Sequence, residues 1–289
     1  MSEPGLLLCT DMDRTVIPNG LQSEHPLARK LFAEFCIQPQ VTLAYVTGRH
    51  QKLVKQAIKN YRLPKPNYAI TDVGTKIYRI DDQQQWLELQ AWEDEIDKAW
   101  NGKSHSQLKT LFDDISDLQL QELSKQNTHK LSYYTSIHVK QESLLSLMSQ
   151  RLEEVGVQAS LVWSVDEPKG IGLLDVLPRN ATKLHAIEFL REQLGFSLSD
   201  TVFAGDSGND LPVLGSVIPS VLVANAADDV VEAAQYLALK NDTQQALYLA
   251  TGKNSNMNGY YSSGVLEGVY HFVPAFREQL KQMGFCGEQ

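Results

Sequence analysis

The sequence contains few cysteines, and none of them is spaced as a metal site or a disulfide framework requires. Only Cys9, Cys36 and Cys286 occur among 289 residues. An odd count without paired spacing argues against a disulfide scaffold and against a cysteine zinc site, and it fits a reducing compartment. Cys9 lies inside an apolar run and is interpreted as a small buried residue.

The sequence also has no excess of positive charge. The chain carries 26 Lys and Arg against 35 Asp and Glu, a formal net charge of −9. This balance argues against nucleic-acid partners and against an anionic membrane surface. No apolar run approaches the ~18 residues of a membrane span, and no secretory leader pattern opens the sequence. We therefore expect a cytoplasmic protein without a membrane partner.

What the sequence does contain begins with two acids after a short apolar run. Leu6 to Cys9 has the continuous apolar pattern of a strand that is buried on both faces, and Asp11 and Asp13 follow it. One carboxylate could attack phosphorus while the other protonates the departing oxygen and later deprotonates water. An Asp-x-Asp-x-Thr pattern also arises by chance in a few per cent of chains of this length, roughly, so it needs support.

Two further segments provide that support. Thr47 and Gly48 follow a second apolar run, residues 41–46, at the end where open parallel sheets place their ligands. The Thr47 hydroxyl could bond a phosphoryl oxygen, although an isolated Thr-Gly pair is equally compatible with an ordinary turn. Lys183 opens an amphipathic stretch, where its ammonium could reach a phosphoryl group or could simply be solvated.

The fourth segment is a glycine-spaced loop with two acids and an amide. It follows the apolar run 201–204 and reads Gly-Asp-Ser-Gly-Asn-Asp, so that Asp206, Asn209 and Asp210 lie close together. Hard carboxylate oxygens with few other ligands suit Mg²⁺, which keeps several waters and shares oxygens with a phosphate. Calcium-loop spacing is absent, because no Glu stands at the required later position. The loop therefore predicts a magnesium site.

The order of the elements predicts an α/β fold. Strand and helix patterns alternate up to residue 80, which indicates a parallel sheet. After residue 80 the sequence becomes polar, and the helix and strand patterns that follow indicate an inserted module. We predict a Rossmann-like parallel-sheet core over residues 1–80 and 169–289, with an inserted α/β cap domain over residues 81–168.

These segments resemble the four motifs of the haloacid dehalogenase-like hydrolase superfamily, and more narrowly its sucrose-phosphate phosphatase branch. The residues that carry the resemblance are Asp11-x-Asp13-x-Thr15, Thr47-Gly48-Arg49, Lys183, Gly205-Asp206-x-x-Asn209-Asp210, Thr71-x-Val73-Gly74-Thr75, Lys130-Leu131-Ser132-Tyr133 and Asp175-x-Leu177-Pro178. The resemblance implies a Mg²⁺-dependent phosphatase that hydrolyses a phosphorylated disaccharide or related glycoside, with sucrose 6-phosphate as the first candidate.

The resemblance also implies a role for each motif residue. Asp11 is the nucleophile that forms a phosphoaspartyl intermediate, and Asp13 is the acid and base. The implied phosphate ligands are Thr47, Gly48, Lys183 and Asn209. The implied metal ligands are Asp11, Asp206, Asp210 and the backbone carbonyl of Asp13.

Sugar recognition is expected from the cap. The resemblance and the cap pattern make candidates of Gly74, Thr75, Glu95, Lys130 and Asp175. The aromatic candidates Trp92, Tyr134 and His138 fit core packing better. Arg14, Arg49 and Lys130 could balance the charge of a phosphorylated substrate, or the last two could form structural ion pairs.

The sequence departs from the branch at three places. Arg14 replaces a small or amide residue, Lys76 stands where many relatives have Glu, and residues 165–172 replace a shorter glycine-rich loop. Other functions therefore stay open: a phosphatase for a mannosyl- or glucosyl-glycerate phosphate, a phosphomutase of the same superfamily, or a sugar-phosphate sensor without catalysis. A glycosyltransferase that makes the substrate is a candidate partner.

Overall fold

The computed structural model describes residues 5–166, 169–253 and 255–286, and these fall into two compact units. The first unit comprises the chain up to Val73, Ile77–Leu87 and the chain from Lys183 onwards, and the second comprises Gly74–Lys76 and Glu88–Thr182. In chain order the strands of the described residues are β1 (Leu6–Thr10), β2 (Val41–Val46), β3 (Tyr68–Thr71), β4 (Lys76–Ile80), β5 (Trp86–Glu88), β6 (Gln119–Leu120), β7 (Leu131–Ser136), β8 (Ala159–Asp166), β9 (Ile171–Pro178), β10 (Thr201–Gly205), β11 (Ser220–Leu222) and β12 (Leu247–Leu249).

Helices connect many of these strands. In chain order the α-helices of the described residues are α1 (Ala28–Cys36), α2 (Gln51–Tyr61), α3 (Gln90–Trp100), α4 (His105–Thr110), α5 (Gln141–Glu154), α6 (Lys183–Leu194), α7 (Leu211–Leu214), α8 (Asp228–Lys240), α9 (Ser262–Phe272) and α10 (Arg277–Gln282). None of the described helices combines the length and the apolar character that crossing a membrane requires.

The first unit is built on an eight-stranded sheet in the order β12-β11-β10-β1-β2-β3-β4-β5. From β12 to β3 every neighbouring pair is parallel. All five residues of β1 and of β10 are buried, which is why these segments read as continuous apolar runs. The core side chains of α1 that pack on the sheet include Leu31, Phe32 and Phe35, at helical spacing.

Strand β1 lies where the chain changes direction across this sheet. From β1 the chain proceeds to β2 and β3 on one side, whereas β10, β11 and β12 extend the sheet on the other side. In open α/β sheets such a switch point leaves a crevice at the carboxyl ends of the strands, and ligands bind there. The loops that follow β1, β2 and β10 all leave the sheet at that edge.

The second unit contains a four-stranded antiparallel sheet in the order β6-β7-β9-β8. Its core is separate from that of the first unit and includes Trp100, Phe112, Leu131 and Met148. In the register of β7 with β9, Ser132 lies opposite Asp175. The predicted α/β class, with a mostly parallel core sheet and an inserted α/β module, is confirmed.

The borders of the second unit differ from the predicted residues 81 and 168. Strand β9 pairs with β7 and β8, so the unit continues to Thr182, and after β4 it resumes at Glu88. An apolar run indicates a strand but not the sheet that the strand joins, and for this reason the sequence pattern places β9 in the core. Within the segment 165–172, Glu167 and Pro168 lie outside the described residues.

Candidate active site

The motif residues lie at the carboxyl edge of the parallel sheet and at the start of one helix. Asp11 follows β1, Thr47 follows β2, Asp206 follows β10, and Lys183 is the first residue of α6. Asp11 is tied to the neighbouring strand because its backbone N–H donates to the carbonyl of Ala204 at 2.8 Å. The sheet order therefore brings together side chains that are up to 195 residues apart in sequence, between positions 11 and 206.

Lys183 bridges two of the acids. Its Nζ lies 2.7 Å from Asp11 Oδ1 and 2.8 Å from Asp210 Oδ1. Burial alone lowers the pKa of Lys183, but the charges and hydrogen bonds of Asp11 and Asp210 outweigh it and hold the pKa above its ordinary value. The ammonium is therefore fixed in its charged form beside Asp11.

Asp210 is fully buried and anchors the loop after β10. Its Oδ2 accepts hydrogen bonds from the backbone N–H of Asp206, the backbone N–H of Ser207 and the Ser207 hydroxyl, at 3.1, 3.1 and 3.0 Å. Gly205 makes room for this carboxyl group, because a Cβ at that position would lie 2.6 Å from Asp210 Cγ. Both Asp210 oxygens are thus engaged by groups of the protein.

Asp11, Asp206 and Asp210 form a buried acidic cluster. Each contributes a carboxylate oxygen, and these oxygens all lie within 4.8 Å of one another. Burial, followed by repulsion from Asp210, raises the pKa of Asp206 to about 6, and burial also raises the pKa of Asp11 although Lys183 opposes it. Crowded, desolvated carboxylates with raised pKa values are what a bound divalent cation would neutralise, and hard oxygen donors fit Mg²⁺.

Asp13 lies apart from this cluster and is engaged elsewhere. Arg49 Nε donates to Asp13 Oδ2 at 2.7 Å, and Arg49 Nη2 donates to Asp13 Oδ1 at 2.6 Å. Asn19 Nδ2 also donates to Oδ1, at 2.8 Å. Of the two interpretations left open for Arg49, the structure shows the ion pair. This pair also links the loop after β1 to the loop after β2.

The remaining phosphate candidates differ in exposure. Thr47 is buried, and its hydroxyl accepts a hydrogen bond from the backbone N–H of Arg49 at 3.2 Å. Gly48 and Asn209 are exposed. Thr47-Gly48-Arg49 is therefore joined to Asp13, whereas Asn209 lies in the same short loop as Asp206 and Asp210.

Arg14 and Thr15 also contact the acidic cluster. The Thr15 hydroxyl donates to Asp206 Oδ1 at 3.2 Å, and Arg14 Nε lies 3.4 Å from Asp206 Oδ2. Asn225, which comes just after β11 and was not predicted, donates from Nδ2 to the backbone carbonyl of Arg14 at 2.6 Å. Its position, a polar residue directly after a buried strand of the parallel sheet, is the sequence signal that could have identified it.

Within the second unit, Lys130 and Asp175 are brought together. Lys130 Nζ donates to Ser132 Oγ at 2.7 Å and to the Lys125 carbonyl at 3.0 Å, and it lies 3.3 Å from Asp175 Oδ1. The Ser132 hydroxyl donates to the same Asp175 oxygen. Lys130, like Arg49, is therefore part of an ion pair, here between the residue just before β7 and a residue of β9.

The other candidates for sugar recognition each contact a different partner. Glu95 pairs with Lys98 one turn along α3, Thr75 is buried and accepts from Asn127 Nδ2 at 2.9 Å, and the carbonyl of Gly74 accepts from Trp92 Nε1 at 3.0 Å. Trp92 is fully buried, as core packing requires. Tyr134 donates to Glu122, and His138 is exposed.

A second charged network in this unit was not predicted. Glu93, which is buried, lies 3.0 Å from Lys76 Nζ and 3.1 Å from His129 Nδ1, and His129 Nε2 lies 3.0 Å from Asp97. Lys76 also pairs with Glu88 at 2.9 Å. The departure at Lys76 was visible in the sequence, but its partners are not at any regular spacing.

Comparisons with known proteins agree with this geometry. A family model described as sucrose-6F-phosphate phosphohydrolase matches residues 4–273. A protein of Nitrosococcus oceani, described no further than as a HAD-like hydrolase, is 50% identical over 272 residues, which cover 94% of this chain and 73% of that protein. Sucrose-phosphatase 1 of Nicotiana tabacum is 27% identical over 274 residues, which cover 92% of this chain but only 59% of the tobacco enzyme.

A solved structure extends the comparison. The sucrose-phosphatase of Synechocystis sp. PCC6803, whose structure was determined in complex with sucrose and phosphate, is similar with a TM-score of 0.68 and 25% identity. The match covers 93% of this chain and 98% of that one.

Proposed function

The chain belongs to the sucrose-6F-phosphate phosphohydrolase family, a family of phosphoric monoester hydrolases, and on this premise we propose that it hydrolyses a sugar phosphate through a phosphoaspartyl intermediate with Mg²⁺ as cofactor. Sucrose 6-phosphate, giving sucrose and phosphate, is the first candidate substrate. One observation carries the proposal: Lys183 bridges buried Asp11 and Asp210 beside Asp206, at the switch point of a parallel sheet. We place the reaction in the cytoplasm, in keeping with three free cysteines.

The two carboxylates after β1 divide the chemistry. An Asp11 oxygen attacks phosphorus, the bond between phosphorus and the sugar oxygen breaks, and Asp13 gives that oxygen a proton. Asp13 then takes a proton from a water molecule, which attacks the phosphorus of the acyl phosphate and releases Asp11 and inorganic phosphate. Lys183 and Thr47 bind phosphoryl oxygens, with Gly48 and Asn209 lining the same edge.

The acidic cluster fits the cofactor. Asp11, Asp206 and the backbone carbonyl of Asp13 would hold Mg²⁺, and Asp210 would keep Lys183 and the loop of Asp206 in place, because both of its oxygens are already bonded. When bound, the cation would neutralise charge on the phosphoryl oxygens.

A phosphatase for another glycosyl phosphate is the second candidate. The observation that favours it is Lys76, which stands where many relatives carry Glu and is held by Glu88 and Glu93. A reversed charge in the unit that we propose for sugar recognition would change which hydroxyl or carboxylate groups are accepted. The test therefore includes glycerate-bearing glycoside phosphates, which carry one negative charge more than sucrose 6-phosphate.

The test is phosphate release across a panel at saturating Mg²⁺: sucrose 6-phosphate, glucosyl- and mannosyl-glycerate phosphates, and glucose 6-phosphate. We expect kcat/KM for one disaccharide or glycoside phosphate to exceed that for glucose 6-phosphate by at least about tenfold. Activity should vanish in excess chelator and return with Mg²⁺. Full activity in chelator would reject the metal, an isomerised sugar phosphate would indicate a mutase, and binding without turnover would indicate a sensor.

A further inference from the structure

Arg14 is held in place more firmly than a surface arginine. Its backbone has a φ of 58°, a left-handed conformation that is uncommon for arginine. Its N–H donates to Asn19 Oδ1 at 2.8 Å and its carbonyl accepts from Asn225 at 2.6 Å, while its Nη2 donates to the Asn225 carbonyl at 3.1 Å. Asn225 is buried and accepts from the backbone N–H of Tyr261 at 2.8 Å. The residue is therefore clamped on both its backbone and its side chain.

The clamp directs one edge of the guanidinium at the acidic cluster. Arg14 Nε lies 3.4 Å from Asp206 Oδ2, and this nitrogen is buried and makes no hydrogen bond with the described residues. The side chain as a whole is 43% exposed, so its outer edge reaches solvent. Asp206 Oδ1 is meanwhile occupied by Thr15, which leaves Oδ2 as the oxygen that Arg14 faces.

We propose that Arg14 is a fixed counter-charge on Asp206 that weakens the hold of the acidic cluster on a divalent cation and strengthens binding of a phosphate beside it. The inference deepens the proposed function and rests on it. A positive charge 3.4 Å from a metal-binding carboxylate repels a cation and attracts an anion, and partial exposure limits both effects through solvent screening. The residue thus acts through Asp206 on the metal, as a positioning and tuning residue.

The charge of Arg14 affects metal binding and phosphate binding in opposite directions, so its role can be distinguished from a general disruption of the fold. Replacing Arg14 by a neutral residue should tighten metal binding and loosen phosphate binding. Collapse of the loop would loosen both. Arg14→Asn is the main variant, because asparagine tolerates a positive φ better than other neutral residues of similar polarity. Arg14→Lys keeps the charge but loses the single Nη2 hydrogen bond to the Asn225 carbonyl. Lys30→Gln removes one positive charge from an exposed site on α1 as a control.

The experiment measures binding rather than turnover. Free Mn²⁺ is followed by electron paramagnetic resonance as it titrates the metal-free protein, and inorganic phosphate is titrated calorimetrically at saturating Mg²⁺. For Arg14→Asn we expect the Mn²⁺ Kd to fall about fivefold and the phosphate Kd to rise about tenfold. Arg14→Lys should lie closer to the wild type in both, and Lys30→Gln should match the wild type.

The outcomes distinguish two kinds of failure. Wild-type protein that binds neither Mn²⁺ nor phosphate would overturn the proposed function together with this inference. Wild-type binding of both ions, with Arg14→Asn unchanged or weakened for both, would overturn the role of Arg14 alone. An Arg14→Lys variant that behaves as Arg14→Asn would show that the charge is not the operative property, and it would also reject the inference.

Discussion

Arg49 grips Asp13 through two parallel hydrogen bonds, Nε to Oδ2 at 2.7 Å and Nη2 to Oδ1 at 2.6 Å. Partial burial raises the pKa of Asp13, but the hydrogen bonds and charge of Arg49 outweigh it, so the net pKa lies below its ordinary value. This geometry favours the carboxylate form of Asp13, which accepts a proton from water in the second half of the proposed reaction; the proton that Asp13 gives to the sugar oxygen in the first half is taken up against this preference.

We expect Arg49→Gln to lower kcat by about ten- to a hundredfold, because Asp13 loses the fork that fixes its orientation and general acid and base catalysis depends on that orientation. Arg49→Lys, which keeps the charge but not the fork, should lose less. The measurement is kcat and KM for the best substrate of the panel, with thermal unfolding alongside. A purely structural ion pair would lower the Tm of Arg49→Gln while leaving kcat intact.

Asp11→Asn should reduce phosphate release at least about a thousandfold, because an amide cannot attack phosphorus. The substitution is nearly isosteric, and Asp210 still holds Lys183, so circular dichroism and thermal unfolding should show an intact fold. Asp13→Ala should instead slow the breakdown of the intermediate, so that mass spectrometry detects a phosphoryl group on the peptide containing Asp11. Substantial turnover by Asp11→Asn would exclude the phosphoaspartyl route.

Gly205→Ala should displace Asp210, because the added Cβ would lie 2.6 Å from its Cγ. We expect a loss of about 1–3 kcal/mol in the free energy of unfolding, together with a drop in kcat as Lys183 loses its anchor. Gly208→Ala is the matched control, since a Cβ there meets nothing within 4 Å. Chemical denaturation of both variants measures the difference, and equal stability would show that the site relaxes around the methyl group.

The sequence could identify residues that the structure brings together, because these residues directly follow buried strands or begin a helix. Asp11, Asp206 and Lys183 occupy such positions, and the carboxyl ends of parallel strands meet at one edge. Their catalytic roles stay predictions until the variants are measured. The resemblance to the sucrose-phosphate phosphatase branch is confirmed by the family match.

Features that depend on packing between distant segments could not be predicted. Asn225 contacts Arg14 across 211 residues, and Glu93 meets His129 across 36. Strand β9 reads as a buried strand from its sequence, but its partners β7 and β8 are set by register and not by local pattern. Local sequence therefore specifies the helices and strands and the polar residues at their ends. The side-chain networks depend instead on how these helices and strands pack against one another.

Lys130→Met should raise KM for the glycoside phosphate more than for p-nitrophenyl phosphate, because Asp175 and Ser132 lose the cation that holds them. The same change leaves Asp175 without its ion-pair partner and should lower the free energy of unfolding by about 1–3 kcal/mol. Lys130→Met combined with Asp175→Asn should recover stability but not KM. An equal rise in KM for both substrates would show that Lys130 takes no part in sugar recognition.

The pH dependence of stability tests the network around His129. The groups that face its ring are Glu93, Asp97 and the indole of Trp100, with Lys76 on the far side of Glu93. Burial lowers the pKa of His129, but the hydrogen bonds and charges of Glu93 and Asp97 outweigh it, so the net pKa is raised. Both ring nitrogens face carboxylates, an arrangement that only the imidazolium satisfies with two donors.

Because the pKa of His129 is raised in the folded state, the imidazolium stabilises the fold fully at pH values below the unfolded-state pKa of about 6.5. This contribution is lost as the pH rises through the folded-state pKa. His129→Gln should therefore lower Tm by about 2–4 °C near pH 6 and by less near pH 9. The pKa of Glu93 is lowered, since its bonds to His129 and Lys76 outweigh burial, so its own contribution fades only at acidic pH. His138→Gln, at an exposed position, is the control. A His129→Gln deficit that stays constant from pH 6 to pH 9 would mean that His129 is neutral in the folded protein.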